Sequence, residues 1–415
     1  MNTPELNVIV SGGITSAKGF SASGVHAGFR RNPARLDMAL VVADEPCPCA
    51  GTFTQNPFAS APVRITRSKV RSGALVKAVV VNSGNANAAT GAAGRKTALD
   101  TCDLAARALG CDAENVLVSS TGVVGQQLSM KPFEVGLPQA IERLSWDDGG
   151  AFAASAILTT DTFPKEYAVT YASAAPGLEG REFAIGGCIK GSGMIMPNMA
   201  TMICIITTDA PLDHETAQAA LSSVVGETFN KLTIDADTSP NDTCLLLCSG
   251  AAAPGARIER GTPAFDEFAF ALHDVCRYLA RMVARDGEGS TKIITVNVTG
   301  AASDSDADAA ARKVANSTLV KTAIFGHDCN WGRIAVAAGS SGARFSQENV
   351  SIDIMGIPVC RHGMALDFDE DEALRRFEQD EIVIDCDLGE GDRSTTIWTC
   401  DLTYDYVRIN GDYRT

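Results

Sequence analysis

The sequence predicts a mixed α/β fold with a separate, strand-rich C-terminal unit, and three observations carry that reading. Short apolar runs stop at small polar segments, as strands do at turns. Stretches with helical spacing of apolar residues lie between them. Beyond about residue 300 the apolar residues alternate, as in half-buried strands. A chain of 415 residues exceeds one minimal domain, and the division expected is a core over 1–300 and a smaller domain over 301–415.

In chain order, Ala78 to Val81 reads as a strand ending at Asn82-Ser83-Gly84-Asn85. Lys96 to Leu109 is an Ala/Leu-rich helix stopping at Gly110. Val116 to Val118 is a strand ending at Ser119-Ser120-Thr121-Gly122, and Ile203 to Ile206 one ending at Thr207-Thr208-Asp209. Asp213 can cap a helix running to Phe229, because its carboxylate can accept from the first free amides. Phe268, Leu272, Val275, Leu279 and Met282 form one stripe of an amphipathic helix ending near Asp286-Gly287. Ile294, Val296 and Val298 then alternate as a strand. Ala301 to Ala311 is a boundary loop or a helix start. Val350-Ile352-Ile354, Ile382-Ile384 and Trp398-Cys400-Leu402-Tyr404-Tyr406 complete the strands of the last third.

Composition narrows the function. Apolar residues make up 45% and charged residues 20% of the chain, enough to bury a core and incompatible with wholesale disorder. A net charge of −15 repels phosphate backbones and argues against nucleic acid as a partner. No apolar stretch approaches the ~18 residues a membrane span needs, and the first twenty residues do not read as a secretory signal. The thirteen cysteines form no CxxC pair and the histidines no HExxH, so neither a metal nor a disulfide framework is expected. Reduced thiols fit a cytoplasmic protein. Gly91-Ala92-Ala93-Gly94-Arg95-Lys96-Thr97 lacks the spacing of a phosphate loop. Gly287-Glu288-Gly289 follows a helix instead of preceding one. No GxSxG elbow exists.

The stretch Lys190-Gly191-Ser192-Gly193-Met194-Ile195-Met196-Pro197-Asn198-Met199-Ala200-Thr201-Met202 carries chemistry. A threonine hydroxyl is a poor nucleophile unless a base stands beside it. At a chain terminus its own α-amine, with a pKa of about 8, is that base. A mid-chain threonine reaches that state when its hydroxyl attacks the preceding carbonyl and water cleaves the resulting ester. Small Ala200 leaves that carbonyl accessible, and the strand after Thr201 would hold the new terminus.

This stretch resembles the cleavage segment of the ornithine acetyltransferase family, the self-cleaving, N-terminal-nucleophile glutamate N-acetyltransferases of arginine biosynthesis. Six further ordered blocks share the resemblance: Val81–Ala88, Ser120–Gly125, Thr159–Thr162, Thr233–Thr243, Asp328–Arg333 and Tyr404–Asn410 with terminal Thr415. The resemblance implies a four-layer α/β/β/α core of two packed sheets with a smaller C-terminal α/β domain. It implies cleavage between Ala200 and Thr201, giving an α chain 1–200 and a β chain 201–415 that assemble into an (αβ)2 heterotetramer. Thr201 becomes the nucleophile, and Thr121 with Gly122 the oxyanion hole. Lys190, Glu288, Asn410, Thr415, Thr201 and one of Thr159 or Thr160 contact substrate. Spacing does not decide between those two threonines.

The implied reaction is ping-pong acetyl transfer from N-acetylornithine to glutamate through acetyl-Thr201. No cofactor is implied, and the sequence leaves open whether acetyl-CoA is a second donor. The alternative is an aminopeptidase or amidohydrolase of the same self-cleaving type. Without the resemblance, Thr121-Gly122 reads as a strand-end turn and Lys190 as a surface lysine. Glu288 then reads as a solvated turn residue and the C-terminus as a frayed tail. Tyr404, Tyr406 and Tyr413 argue against the last, since they ask for burial.

Overall fold

Runs of small and β-branched apolar residues form the strands of the first unit in the computed structural model, which describes residues 3–196 and 202–412. These strands are β1 (Asn7–Val8), β2 (Phe20–Val25), β3 (Met38–Cys47), β4 (Cys49–Phe53), β5 (Val76–Asn85), β6 (Val116–Val123), β7 (Lys165–Ala172), β8 (Glu182–Lys190), β9 (Ile203–Thr208) and β10 (Thr243–Cys248). Helices α1 (Ala61–Arg71), α2 (Gly91–Leu109), α3 (Lys131–Glu142), α4 (Gly149–Ala156), α5 (His214–Glu227) and α6 (Pro263–Arg285) lie among them. This unit comprises the described residues of Met1–Gly191, Asn198–Asn230 and Thr238–Leu279.

Its strands make a six-stranded sheet ordered β1-β7-β8-β9-β10-β4 and a four-stranded sheet ordered β2-β3-β5-β6. Pairing is antiparallel except for β9 with β10 and β5 with β6. The period of two along β3 sorts its side chains between two cores. Ala39, Val41 and Ala43 join Ile203, Ile205, Leu245 and Leu247 of the other sheet. Met38, Leu40 and Val42 join Ala98, Cys102 and Ala105 of α2 and Phe133 and Leu137 of α3. The far face of the six-stranded sheet meets α6, so closely that a Cβ on Gly187 would stand 2.9 Å from Leu279. Helices, sheet, sheet and helix thus follow one another, the four layers that the family resemblance implied.

The second unit comprises the described residues of Ser192–Pro197, Lys231–Asp237 and Ala280–Thr415. It holds β11 (Ile293–Ala301), β12 (Ser351–Ile354), β13 (Ile357–Arg361), β14 (Met364–Ala365), β15 (Glu381–Asp387) and β16 (Arg393–Cys400). Its helices are α7 (Asp304–Ala315), α8 (Thr318–Phe325), α9 (Trp331–Gly339), α10 (Glu370–Phe377) and α11 (Tyr404–Gly411). The sheet order is β14-β13-β12-β15-β11-β16. Ile294, Val296 and Val298 of β11 are fully buried against α7 and α9 residues such as Ala307, Ala311 and Ile334.

Several elements match their expected signals. Asp213 caps α5, accepting from the Thr216 amide, and the stripe residues Phe268, Leu272, Val275 and Leu279 of α6 are inaccessible to solvent. Others need correction. Strands β5 and β6 do not stop at their polar segments. Asn82, Ser83 and Gly84 pair with Ser120, Thr121 and Gly122, because two polar strand ends lying parallel satisfy each other's backbone. Helix α2 starts at Gly91, five residues earlier than the Lys96 read from composition. The alternation after Trp398 is not strand beyond Cys400. The Thr403 hydroxyl accepts from the Asp405 amide and starts α11 there, leaving Tyr404 84% exposed against the expected burial.

Candidate functional site

The chain either side of the Ala200-Thr201 pair is held by three buried or half-buried carboxylates, none of which was given a role from sequence. The first is Asp161, whose side chain has no exposed surface. Its Oδ1 accepts from Lys165 Nζ at 2.8 Å and from the Gly191 amide at 2.7 Å. Its Oδ2 accepts from the Thr159 amide at 3.0 Å and lies 3.8 Å from Lys190 Nζ. Burial by itself would raise the Asp161 pKa. The charges of Lys190 and Lys165 and the hydrogen bonds outweigh it and hold the carboxyl well below the usual carboxylate range.

Lys190 ends β8 and is only 3% exposed. It is therefore not the surface lysine that its type suggests, and a buried ammonium requires this kind of partner. The Thr159 hydroxyl also turns toward Asp161 Oδ2, at 3.4 Å. Thr159 and Thr160 are both half-buried.

Thr121 and Gly122 lie within β6, and Thr121 is 4% exposed. Gly122 has φ +130°, and a Cβ there would stand 2.3 Å from the Gly84 carbonyl carbon. Only glycine fits that crossing of β5 and β6. The end of β6 is tied to the turn before β10: Asn241 Nδ2 donates to Ser120 O and to Ala86 O, both at 2.7 Å.

The next residue, Asp242, is the second carboxylate. Its Oδ1 accepts from the Met202 amide at 3.2 Å, while the Thr243 amide donates to Met202 O at 3.0 Å. The residue immediately after Thr201 is thus pinned on both backbone polar groups. Burial pushes the Asp242 pKa well above the ordinary value, opposed by the Met202 amide and by the Lys190 charge.

The third carboxylate belongs to the second unit, as does the segment it holds. Asp235 accepts from the Met194 amide at 2.6 Å and the Ile195 amide at 2.8 Å, and the Tyr406 hydroxyl donates to it at 3.3 Å. The Ile234 amide donates to Ile195 O at 2.8 Å. In the same unit the Glu288 amide donates to Ser192 O at 2.8 Å, and Asn410 Nδ2 donates to Glu288 Oε2 at 2.7 Å. Glu288 is 8% exposed, unlike a solvated turn glutamate. A Cβ on Gly193 would come within 2.5 Å of its carboxyl.

The expected site residues therefore fall into two groups. Thr159, Lys190, Thr121 and Gly122 are in the first unit, where Asp161 links Thr159 to Lys190. Glu288 and Asn410 touch in the second. Ala200, Thr201 and Thr415 lie outside the described residues, as does Tyr413. Among the described residues no three His, Cys, Asp or Glu side chains stand together as a metal site, and no helix is long and apolar enough to cross a membrane. No local signal in the sequence marks the three carboxylates, whose partners come from elsewhere in the chain.

The ArgJ family model matches residues 21–415. The arginine biosynthesis bifunctional protein ArgJ of Symbiobacterium thermophilum is 46% identical over 407 residues, covering 98% of this chain and 99% of that protein. Its counterpart in Geobacillus kaustophilus is 40% identical over 415 residues, covering 100% and 98%. Among solved structures, the arginine biosynthesis bifunctional protein ArgJ of Bacillus halodurans is 44% identical over 49% of this chain and 96% of its own, with a TM-score of 0.48. The ornithine acetyltransferase of Mycobacterium tuberculosis, complexed with ornithine, is 34% identical over 48% and 100%, with a TM-score of 0.42. On the full-length identity to these relatives and the family match across nearly its whole length, the chain belongs to the ArgJ family.

Proposed function

We propose that the protein is a self-cleaving glutamate N-acetyltransferase that moves an acetyl group from N-acetylornithine to glutamate. Cleavage between Ala200 and Thr201 frees the α-amine of Thr201. That amine takes the proton of the Thr201 hydroxyl as it attacks the acetyl carbonyl. Thr121 and the Gly122 amide stabilise the tetrahedral oxyanion, a role worth about 3–4 kcal/mol per donor. Ornithine leaves, and the amine of glutamate takes the acetyl group from the threonine ester. Lys190 meets the α-carboxylate common to both substrates. Glu288 and Asn410, with Thr415 and one of Thr159 or Thr160, meet the remaining polar groups.

One observation supports this reading above the others: Lys190, a lysine next to the cleavage segment, is buried and held by Asp161. A surface lysine needs no such support. The pinning of Met202 also suits a chain end that must stay fixed after cleavage. The relatives are described as bifunctional, which fits acetyl-CoA as a second donor. The two fragments would remain together as an (αβ)2 assembly.

Intact mass spectrometry tests the central step. The parent chain should give two fragments meeting at 200/201, and Thr201→Ala one chain of 43.4 kDa with no transfer. Two fragments from Thr201→Ala would remove the nucleophile. Assays of acetylornithine with and without glutamate separate transferase from hydrolase: equal ornithine release in both would favour the amidohydrolase.

A further inference from the structure

The first unit contains a cavity of about 800 Å3 that the proposed reaction does not use. Its wall is the loop after β1, Asp44 of β3, the approach to α4 around Trp146, and Glu166 of β7. Among the described residues nothing hydrogen-bonds or ion-pairs with the Glu166 carboxyl, although the residue is half-buried. Two glycines make room for it. A Cβ on Gly13 would stand 2.1 Å from Glu166 Oε1, and one on Gly150 3.4 Å from the same oxygen.

The groups around Glu166 leave its charge unanswered. Burial alone pushes its pKa up to about 7. Lys18 lines the same cavity but does not offset that rise, and Asp44 and Asp147 add negative charge to the wall. Across the sheet its register partner is Cys188 of β8, a thiol that burial keeps neutral. Helix α4 brings only Gly150 and Ala151 to the wall. An acid kept partly from water without a partner costs stability, and in a cavity it is a signature of a ligand site.

Apolar surface stands beside this acid. Val10 is 90% exposed and Trp146 75% exposed, and both line the cavity. An indole face attracts cations as well as apolar groups. A hard metal ion would need several oxygen ligands, and among the described residues no cluster supplies them. An organic cation needs only one carboxylate and an apolar bed.

We propose that this cavity binds a small organic cation, an ammonium or guanidinium group on an apolar stem: Glu166 accepts from the cationic N–H groups, and Trp146 and Val10 cover the stem. The site shares no residue with those assigned to acyl transfer, so the inference stands or falls apart from the proposed function. A bound cation favours the ionised acid. Binding is therefore weak below pH 7, where the carboxyl is neutral, and strengthens as pH rises through that value.

Calorimetric titration of the full chain with n-butylamine and with n-butylguanidine tests this. At least one probe should bind one-to-one at pH 8 and about tenfold more weakly at pH 6, the change in the ionised fraction of an acid titrating near 7. Binding of both probes assigns the site to either group, and binding of one assigns it to that group. At pH 8, Glu166→Gln should weaken binding about tenfold and remove its pH dependence, and Trp146→Ala should weaken it severalfold. Glu288→Gln should leave it unchanged. The inference is overturned if neither probe binds at millimolar concentration, if affinity is equal at pH 6 and pH 8, or if Glu166→Gln binds like the parent. Loss of binding in Glu288→Gln overturns it too, because the probes would then occupy the proposed substrate site. Should Glu166→Gln fail to fold, the pH dependence of the parent and the Trp146→Ala titration decide.

Discussion

Asp161 and Glu288 are both buried acids, and the two units support them in opposite ways. Asp161 is enclosed by two lysines and two backbone amides, with no side-chain surface left to water. Glu288 is held through its carboxyl by Asn410, which is itself exposed. A carboxylate enclosed by cations is fixed, because removing it strands buried positive charge. A carboxylate held by one exposed amide can exchange that amide for a ligand at small cost. The first arrangement suits a framework that keeps Lys190 in place; the second suits a contact that opens for an ammonium group.

The contrast breaks first at Asp161. Asp161→Asn should lower the unfolding free energy by about 3–5 kcal/mol, read by urea denaturation at pH 7. A loss under about 1 kcal/mol, the range of exposed pairs, would erase the difference between the two sites. The pH dependence follows from the lowered Asp161 pKa. Its contribution is fully present above the unfolded value of about 3.9 and is lost as pH falls below it. The acid limb of stability should therefore flatten in Asp161→Asn, and the two chains should converge at low pH.

Gly193→Ala should cost about 1–3 kcal/mol, because the added methyl meets the Glu288 carboxyl. Smaller losses would mean that Glu288 moves aside freely, which would sharpen the picture of an exchangeable contact. Lys190→Met should act on substrate more than on folding. We expect KM for acetylornithine to rise about tenfold, or ~1.4 kcal/mol, and an unaltered KM would take Lys190 out of the site.

Much of the architecture is legible in the sequence because it follows local rules. The α6 stripe and the Asp213 cap depend on residues three or four apart, and the structure has both. Where a partner from elsewhere in the chain decides, local signals mislead. The polar ends of β5 and β6 read as turns, since nothing nearby shows that each would supply the other's backbone partners. Tyr404 and Tyr406 continue a strand pattern that the Thr403 cap interrupts. At the site, the match of motifs named Lys190, Thr121 and Glu288. It passed over Asp161, Asp235 and Asp242, which stand within the matched blocks without a signal of their own.

The sequence by itself determined the element types with periodic apolar faces, the order of the motif blocks and the Ala200-Thr201 pair, because these are properties of neighbours along the chain. Only the tertiary structure decided that Lys190 is buried, that Asp161 answers it, and that Asp242 reaches Met202 from forty residues away. Burial and charge pairing depend on distance in space, and the field at an ionisable group is set by whatever the fold brings beside it.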